Sequence, residues 1–589
     1  MPSRVACTLV LGACVLFTVW AGAQTVSRPG LVQDWAQKHV IFTNGGSPAN
    51  IAKAQNDPRS WQQWLSRSVY LFDGRRTDDF TDPGRDNWRS LLPPWYRRPR
   101  FRTDWAVSLG GSGGMPIGET PAKFTFNATA PLSFPASCNN DFVVFVINAS
   151  PAAGTQANIV ALNNLYTGTA SSSCPNGPQS PVTTNLTAPT FMWSYAVGSG
   201  QVYFSPVLSL DGKKVAFIES PATGGPVFHV LTWVAGQGTN ATTGSVAPGS
   251  GGSSVTSLAY TNTAVTGCTA SSSTDNNSSP FVDYTNDVAY VGDDNGRLYR
   301  IKGVFNGTPT LDYCTTVSSG KRLTSPVYDS VSGKVFVSDG QTVYAFTPGA
   351  TSFAAAGSVT VAGTANSIVL SPIVDSTNGY VYVFSSHDTG NANSIVSQIP
   401  VSMSTHIDAA IGPATSNYIL DGDFDNQYFA NGPSKGSLYA CGTQSGTSTK
   451  PALYTLTFAA NGQMNTTPAM SNNININSVA NPAGACSPLL EYYDGTTDRL
   501  FVGVGTSGST AGANQVTSWN ITSRITSATA TPTSIAVNEF GGISGMSMDN
   551  NSSAYQASSI YFGTLATSTL ASCGSNNYCA VKLTQSLLQ

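Results

Sequence analysis

The chain has 589 residues and a formal net charge of −3, and 10% of its residues are charged while another 10% are aromatic. This composition excludes an intrinsically disordered chain, which carries many charges and few aromatic side chains. The abundance of Gly, Ser, Thr and Asn instead indicates an all-β protein with many turns.

The first 23 residues have the pattern of a secretory signal peptide. Arg4 precedes an almost wholly apolar run, Val5–Trp20, and Ala21 and Ala23 follow as small residues of a cleavage site. We expect cleavage after Ala23 and a secreted protein, extracellular or periplasmic. Leu11–Cys14 resembles a lipoprotein signal, but the chain stays apolar after Cys14. Because the run is shorter than the ~20 residues of a membrane span, we expect no transmembrane segment.

Residues 24–103 form an N-terminal extension that we expect to be partly helical. Asp57 and Pro58 precede an amphipathic stretch, which predicts a capped helix with Pro in its first turn. Residues 24–106 contain 13 basic and 8 acidic residues, including four Arg between Arg97 and Arg102, whereas residues 107–589 contain 14 and 23. These opposite charges predict that the extension docks on the rest of the chain. Nucleic-acid binding is not expected, since it needs a broad basic face.

A repeated segment dominates the rest of the chain. In Thr324–Phe346, a short strand follows Ser-Pro, an Asp/Gly turn reverses the chain, and two strands follow at Lys334–Val337 and Thr342–Phe346. Pro stands at the strand start, where no ladder donor is lost. Seven further copies, spaced about 45 to 75 residues apart, begin at Cys138, Phe204, Ser278, Leu370, Gly436, Cys486 and Ser558.

Four-stranded sheets at this period are blades of a β-propeller. We therefore predict an all-β, eight-bladed β-propeller of antiparallel blades over residues 104–589, with seven blades as the alternative if one looser copy is not a full blade. The last copy supplies only three strands before the chain ends at Gln589. We expect Asp104–Gly110 to supply the missing outer strand and to close the ring.

The pattern Ser-Pro-x-x-Asp, Gly-Lys-Val-Phe-Val and Val-Tyr-Ala-Phe resembles the repeat of quinoprotein-like and YVTN-type propellers over most of Lys123–Gln585. As a whole, the chain resembles uncharacterised secreted bacterial propeller proteins. The quinoprotein resemblance implies a pyrroloquinoline quinone oxidoreductase. However, Phe217 and Phe336 stand where that repeat has Trp, and the adjacent cysteine pair of many such enzymes is missing. We therefore expect no quinone cofactor.

Eight cysteines follow the signal peptide, and an oxidising compartment predicts that they form disulfides. We expect the pairs Cys138–Cys174 and Cys573–Cys579. The pairs Cys441–Cys486 and Cys268–Cys314 follow mostly by elimination. The spacings are not those of CxxC pairs and the chain has four His, so a zinc site is not expected.

Asp421, Asp423 and Asp425 alternate as the first ligands of a calcium loop do. The match then fails, because Asn426 and Gly432 stand where an EF-hand needs Gly and Glu. We expect a solvated loop between blades here, with a weak calcium site as the lesser alternative and no other cofactor.

Three further motifs have structural interpretations. Ser112 lies in a formal G-x-S-x-G motif, but between two predicted strands rather than at a strand-to-helix turn. Ser386-His387-Asp388 is expected to be a hairpin turn, because the members of a catalytic triad converge from distant segments. Trp193, Trp233 and Trp519 could stack on sugars, but their positions in or beside predicted strands favour packing within blades.

No catalytic residue emerges from the sequence, and a propeller can serve binding and catalysis alike. His and Glu are rare, and no two of them are close in sequence. Our leading hypothesis is a non-enzymatic scaffold that binds a protein or a glycan through one face of the ring. The alternative is a polysaccharide hydrolase or lyase with a site in the central channel, and a structural envelope protein comes third.

Overall fold

The repeated segment forms most of one four-stranded antiparallel sheet. Its strands are Val327–Asp329, Lys334–Ser338 and Thr342–Pro348, followed by Phe353–Thr360. The Asp329 carboxylate accepts hydrogen bonds from two backbone N–H groups of its turn, and Gly333 closes that turn with φ at +68°. Only glycine adopts such a φ at no steric cost.

Eight such sheets form the ring, as predicted. The computed structural model describes residues 30–68, 101–126, 139–165, 189–260, 278–444, 446, 450–468, 474–475, 485–493, 497–505, 516–527, 530–535, 542–550, 558–567 and 573–585. Each sheet is one blade, and its strands are given below from the inner to the outer edge.

The strands of blades 1 to 4 follow one another along the chain. They are β4 (Ala122–Thr125), β5 (Phe142–Val146), β6 (Ile159–Asn163) and β7 (Thr190–Tyr195); β8 (Val207–Leu208), β9 (Lys214–Glu219), β10 (Val227–Thr232) and β11 (Ser254–Ala259); β12 (Phe281–Asp283), β13 (Val288–Gly292), β14 (Arg297–Lys302) and β15 (Thr310–Thr316); and β16 (Val327–Asp329), β17 (Lys334–Ser338), β18 (Thr342–Pro348) and β19 (Phe353–Thr360).

Blades 5 to 8 complete the ring. Their strands are β20 (Ile373–Asp375), β21 (Tyr380–Ser385), β22 (Asn393–Pro400) and β23 (Ile407–Pro413); β24 (Gly422–Phe424), β25 (Ser437–Thr443), β26 (Pro451–Thr457) and β27 (Ile474–Asn475); β28 (Ala485–Cys486) and β29 (Leu490–Tyr493), which both pair with β30 (Asp498–Gly505), then β31 (Val516–Asn520) and β32 (Ser534–Ile535); and β33 (Ser547–Asn550), β34 (Ser558–Gly563), β35 (Tyr578–Gln585) and β3 (Phe101–Gly110).

The ring closes with strands from both parts of the chain, as the sequence predicts. β3 pairs antiparallel with β35, with Ala106 opposite Val581. A buried ion pair lies at this closure, because Lys582 Nζ is 3.3 Å from Asp104 Oδ2 and neither side chain is exposed. Lys582 also donates a hydrogen bond of 2.9 Å to the carbonyl of Leu165 in blade 1. The closing blade is thereby tied to the first one.

The Ser-Pro motif links neighbouring blades. The backbone N–H of Ser205 donates to Ser279 Oγ at 3.1 Å, and that of Ser279 donates to Ser325 Oγ at 2.7 Å. In blade 1, the N–H of Thr120 donates to Ser205 Oγ at 2.9 Å. The starts of the inner strands therefore lie together at one end of the ring, which we call the Ser-Pro end. The opposite end carries turns such as Asp329–Gly333, and we call it the turn end.

Apolar side chains fill the space between blades. Val327, Phe336 and Val337 of the repeated segment are fully buried. Trp193 and Trp519 are also buried in blade packing, which confirms the structural interpretation of these aromatic residues. Trp233 is partly buried against the same core as Trp193.

Two of the four expected cysteine pairs lie at disulfide distance. Cys441–Cys486 joins blades 6 and 7 with a Cα–Cα distance of 6.2 Å, and Cys573–Cys579 joins two points of blade 8 at 6.0 Å. Cys314 is also disulfide-bonded. Cys138, Cys174 and Cys268 lie outside the described residues, so the pairs Cys138–Cys174 and Cys268–Cys314 stay predictions.

Candidate functional site in the central channel

The N-terminal segment, residues 30–68, enters the channel of the ring. Its elements are β1 (Leu31–Gln33), α1 (Trp35–His39), β2 (Val40–Ile41), α2 (Pro48–Ala54) and α3 (Pro58–Ser68). β1 pairs antiparallel with the inner strand of blade 1, and β2 pairs parallel with the inner strand of blade 5. Because blades 1 and 5 are opposite each other in a ring of eight, residues 31–41 span the channel.

Helix α1 begins at a capping residue that also contacts the ring. Asp34 Oδ1 accepts the N–H of Ala36 at 3.0 Å, and Oδ2 accepts the N–H of Leu208 in blade 2 at 3.4 Å. Burial raises the pKa of Asp34 to about 6, although Arg59 acts in the opposite direction. Next to the cap, Trp35 packs edge-on against Phe281 of blade 3, with 6.0 Å between ring centroids.

His39 ends α1 at the Ser-Pro end of the ring. Its Nδ1 lies 2.9 Å from Ser371 Oγ and 3.1 Å from the carbonyl oxygen of Pro372. Burial, together with the charge of Lys38, lowers the pKa of His39 to about 3. The imidazole is therefore neutral at neutral pH, and the Ser-Pro residues of blade 5 bind the N-terminal segment.

The three alternating aspartates are buried rather than solvated, so the expectation of a solvated loop is wrong. Lys38 forms an ion pair with Asp421 at 2.7 Å. Asp423 accepts the N–H of Glu491 at 2.7 Å, and Asp425 caps α4 (Asn426–Asn431) by accepting the N–H of Tyr428 at 2.9 Å. Over the described ranges, no three metal-binding side chains converge on one point. Calcium binding stays a prediction.

The structure contains helix α3, which the sequence predicts from Asp57 and Pro58. At the start of this helix, Asp57 Oδ1 accepts the N–H of Arg59 at 2.9 Å. At its other end, Arg67 holds both carboxylate oxygens of Glu491, at 2.9 and 2.6 Å. The same guanidinium lies 3.5 Å from the ring centroid of Phe429. These contacts fix α3 over blades 6 and 7 at the turn end of the ring.

Glu491 has a second acidic neighbour, Asp498, at the start of β30. Burial raises the pKa of both carboxyl groups, and the proximity of Glu491 raises that of Asp498 further. Asp498 Oδ2 accepts the N–H of Asn426 at 2.6 Å. Both carboxyl groups are therefore harder to ionise than exposed ones, and Arg67 binds the two oxygens of Glu491. No local motif in the sequence predicts that these side chains come together. The indication in the sequence is the opposite net charge of the N-terminal extension and the ring.

A cavity of about 100 Å³ lies between the N-terminal segment and the ring. Its lining includes Gln33, Gln37 and Arg67 from the segment, and Glu491 and Ser547 from blades 7 and 8. Charged, amide and hydroxyl groups thus surround one space beside the carboxyl pair. Sequence reasoning missed the glutamines, because no spacing distinguishes them from other polar residues.

A serine–histidine–glutamate arrangement lies on blade 2, far along the chain from these residues. His229 Nδ1 is 2.9 Å from Ser257 Oγ, and Nε2 is 2.6 Å from Glu219 Oε2. The other oxygen of Glu219 accepts the N–H groups of Ser199 and Gly200. These backbone bonds and the histidine lower the pKa of Glu219 against the effect of burial. The set anchors the loop from blade 1 to blade 2.

The catalytic-looking motifs have the structural roles expected of them. Ser112 lies in the loop between β3 and β4. Ser386-His387-Asp388 lies in the hairpin loop between β21 and β22, where His387 Nδ1 is 2.9 Å from Ser386 Oγ. Asp388 instead accepts the N–H of Ala392 at 2.8 Å. No histidine–aspartate hydrogen bond of a triad is therefore formed there.

Fold and site together define an eight-bladed β-propeller whose channel is filled by its own N-terminal segment. No family model matches the chain, and no curated protein matches it either. Membership of the quinoprotein-like or YVTN-type family therefore stays a prediction.

Several solved propeller structures are similar to this one. BamB from Moraxella catarrhalis is 10% identical, with a TM-score of 0.38, and the match covers 82% of this chain and 97% of that one. Saccharomyces cerevisiae Sqt1 is 10% identical with a TM-score of 0.40, and the shares are 82% and 97%. The WD40 propeller domain of Doa1 is 10% identical with a TM-score of 0.34, covering 69% and 94%. At these values, the comparisons carry no conclusion about function.

Proposed function

We propose that this protein is a secreted, non-enzymatic scaffold that binds a protein or a glycan at the turn end of the ring. The observation that carries the proposal is the filled channel. Because residues 31–41 cross the channel and β1 and β2 pair with inner strands, the faces of the ring offer the accessible surface. A partner would meet α2, α3 and the turns around them.

Exposed aromatic residues favour the turn end over the Ser-Pro end. Trp64 on α3 is 51% exposed, and Phe126, directly after β4, is 55% exposed. Aromatic side chains are enriched in protein interfaces and combine a large apolar area with low conformational entropy. Tyr418 is 53% exposed, but it precedes β24 and so belongs to the Ser-Pro end.

The test combines a glycan array with cross-linking in the source cells, each using the secreted chain. The affinity of any glycan or purified protein partner is then compared between Trp64→Ala and Tyr418→Ala. We expect Trp64→Ala to weaken binding about tenfold or more, since interface hot spots, which are enriched in Trp, cost about 2 kcal/mol or more when they are truncated to Ala. Tyr418→Ala should leave the affinity unchanged. The opposite pattern, or no partner by either method, would contradict the proposal.

Secretion is part of the proposal. The two disulfides fit an extracellular or periplasmic location, because such bonds persist in oxidising compartments. Within the described residues, no helix is long and apolar enough to cross a membrane. N-terminal sequencing of the exported protein should find Gln24 as the first residue, and a retained leader would contradict cleavage after Ala23.

A polysaccharide hydrolase is the second candidate, favoured by the pair Glu491 and Asp498. Glycosidases use two carboxyl groups with separated pKa values, one as acid and one as base or nucleophile. Here Arg67 holds both oxygens of Glu491, so α3 would have to leave before substrate could approach. Reducing-sugar release from a polysaccharide panel, abolished by Asp498→Asn, would favour this candidate over the scaffold. The scaffold proposal expects no release.

A further inference from the structure

The cavity beside α1 has a wall from each part of the molecule. Gln33 and Gln37 come from the N-terminal segment, and Met546, Ser547 and Met548 come from the inner edge of blade 8. The cavity of about 100 Å³ is smaller than the roughly 150 Å³ of an engineered cavity that binds benzene. It therefore has room for a few non-hydrogen atoms and not for a whole oligosaccharide.

Each charged side chain that lines the cavity already has a partner, and the carboxyl groups of Asp34 and Asp423 accept backbone N–H groups. Lys38 binds Asp421 at 2.7 Å, and Arg67 binds Glu491 through two hydrogen bonds. A buried charge whose counter-ion is displaced costs far more than a neutral hydrogen bond returns. An anion would have to displace Asp421 or Glu491 from its cation. A cation would compete with the backbone N–H groups for Asp34 or Asp423. The cavity therefore favours a neutral ligand.

Several neutral polar groups around the cavity, in contrast, lack partners. Gln33 Nε2 and Oε1, Gln37 Oε1 and Ser547 Oγ are buried without a hydrogen bond in the described part of the chain. Gln62 also lines the cavity, but its Oε1 has a partner, because it accepts the N–H of Val32 at 3.2 Å. A buried polar group without a partner is costly, and few native ones remain so. The three residues that carry the unpartnered atoms all line the cavity, and their groups include both donors and acceptors.

We propose that this cavity binds adjacent hydroxyl groups of a neutral polyol or of the terminal unit of a glycan. This inference rests on the proposed function and names its ligand. Each hydroxyl donates one hydrogen bond and accepts others, which matches the amide of Gln33 and the hydroxyl of Ser547. Met546 and Met548 supply an apolar wall for the C–H groups between the hydroxyls. The volume admits one edge of a sugar, with the remainder of the glycan outside.

The test is saturation-transfer NMR on the full mature chain with glycerol, erythritol, xylose, glucose, galactose and N-acetylglucosamine. We expect at least one of them to bind, and a Gln33→Leu variant to weaken that binding about tenfold or more. Ser547→Ala should act in the same direction. Gln463→Leu is the matched control, because Gln463 is exposed and lies outside the cavity. It should bind as the unchanged protein does.

Gln33→Leu also has a thermal signature that separates binding from misfolding. Replacing an unpartnered buried amide by an apolar group of similar size is neutral or stabilising. The variant should therefore melt no lower than the unchanged protein, yet lose the increase in melting temperature that a binding polyol produces. A variant that melts lower in buffer alone would show that Gln33 has a structural partner, and it would overturn the inference.

The remaining outcomes separate a failure of the cavity inference from a failure of the proposed function. If no compound in the panel binds, or if binding is the same in Gln33→Leu, the inference is wrong. Binding of free polyols alone identifies a small-molecule source, and binding of a glycan with the same end group identifies a glycan source. If a glycan or protein partner binds with an affinity that depends on Trp64 but not on Gln33, the proposed function survives and the cavity inference fails.

Discussion

The ring and the N-terminal segment are held by different kinds of contact. Within a blade, most strands pair with a strand that is close along the chain, as Lys334–Ser338 does with Thr342–Pro348. The partners of the segment are distant, and 424 residues separate Arg67 from Glu491. The ring is a sum of local hairpins and blade interfaces, as in other repeat proteins. The segment adds buried ion pairs that join several blades at once.

This difference indicates which contacts destabilise the fold most when they are removed. A hairpin that is weakened in one blade leaves the other blades paired. Loss of the segment would expose the inner edges of blades 1 and 5 and leave buried carboxyl groups without their cations. We therefore expect the largest effects on stability to come from the smaller part of the molecule.

Removal of residues 24–68 should have the largest effect. Breaking the pairs Lys38–Asp421 and Arg67–Glu491 costs about 3–5 kcal/mol each, and together they approach the 5–15 kcal/mol stability of a typical domain. We expect the truncated chain to lose its cooperative thermal transition, measured by circular dichroism. A melting temperature within a few degrees of that of the full chain would contradict this view of the segment.

The disulfide between blades 6 and 7 tests the ring side of the comparison. Cys441 and Cys486 are 45 residues apart, and closing such a loop stabilises by about 4 kcal/mol in the chain-entropy description. The 6-residue separation of Cys573 and Cys579 gives about 2 kcal/mol. Paired Cys→Ala variants should differ in this order in urea unfolding. Equal losses of unfolding free energy would show that loop entropy does not determine how much each disulfide stabilises the ring.

Arg67→Met sharpens the comparison at a single residue. It should cost about 3 kcal/mol, because Glu491 and Asp498 then remain buried beside an apolar group. Adding Glu491→Gln should recover more than half of the loss. On the ring, Arg322 lies 3.6 Å from Asp294 and its side chain is 36% exposed, so Arg322→Met should cost less than about 1 kcal/mol. Similar losses of stability for the two variants would contradict the distinction between the buried ion pair of the segment and the exposed ion pair of the ring.

His39 makes the stability of the segment depend on pH. Burial lowers its pKa to about 3, whereas an unfolded histidine titrates near about 6.5. As the pH falls below about 6.5, the unfolded chain takes up a proton that the folded chain refuses, and stability is lost. Between pH 7 and pH 5 this amounts to about 2 kcal/mol.

The measurement is the difference in unfolding free energy between the unchanged protein and His39→Gln at several pH values. Asp34 has the opposite sign, since its raised pKa of about 6 gives stability that grows as the pH falls from about 6 towards 4. Because Asp34 is present in both proteins, the difference isolates His39. Parallel curves for the two proteins would mean that His39 is not buried as a neutral group.

The ring could be predicted because its information is local. Ser-Pro, an Asp/Gly turn and alternating strands recur with a recognisable period, and the three strands of the last copy indicated that Asp104–Gly110 completes it. The helix that begins at Pro58 could also be predicted from local sequence, since Asp57 and Pro58 mark its start.

The place of the segment in the channel was not predictable in the same way. The ion-pair partners of Lys38 and Arg67 lie several hundred residues away in the sequence, and only the overall charge difference indicated docking. The spacing of Asp421, Asp423 and Asp425 indicated a cation, but their main-chain and Lys38 partners come from tertiary structure. The unpartnered amide of Gln33 has no sequence signal at all.

Hydrogen–deuterium exchange of the intact protein tests the central claim most directly, because it reports on the channel residues themselves. If β1, α1 and β2 fill the channel, peptides that cover residues 31–41 should be protected as strongly as the inner strand Ile373–Asp375, with which β2 pairs. Exchange of residues 31–41 within seconds, with the inner strands still protected, would contradict the account.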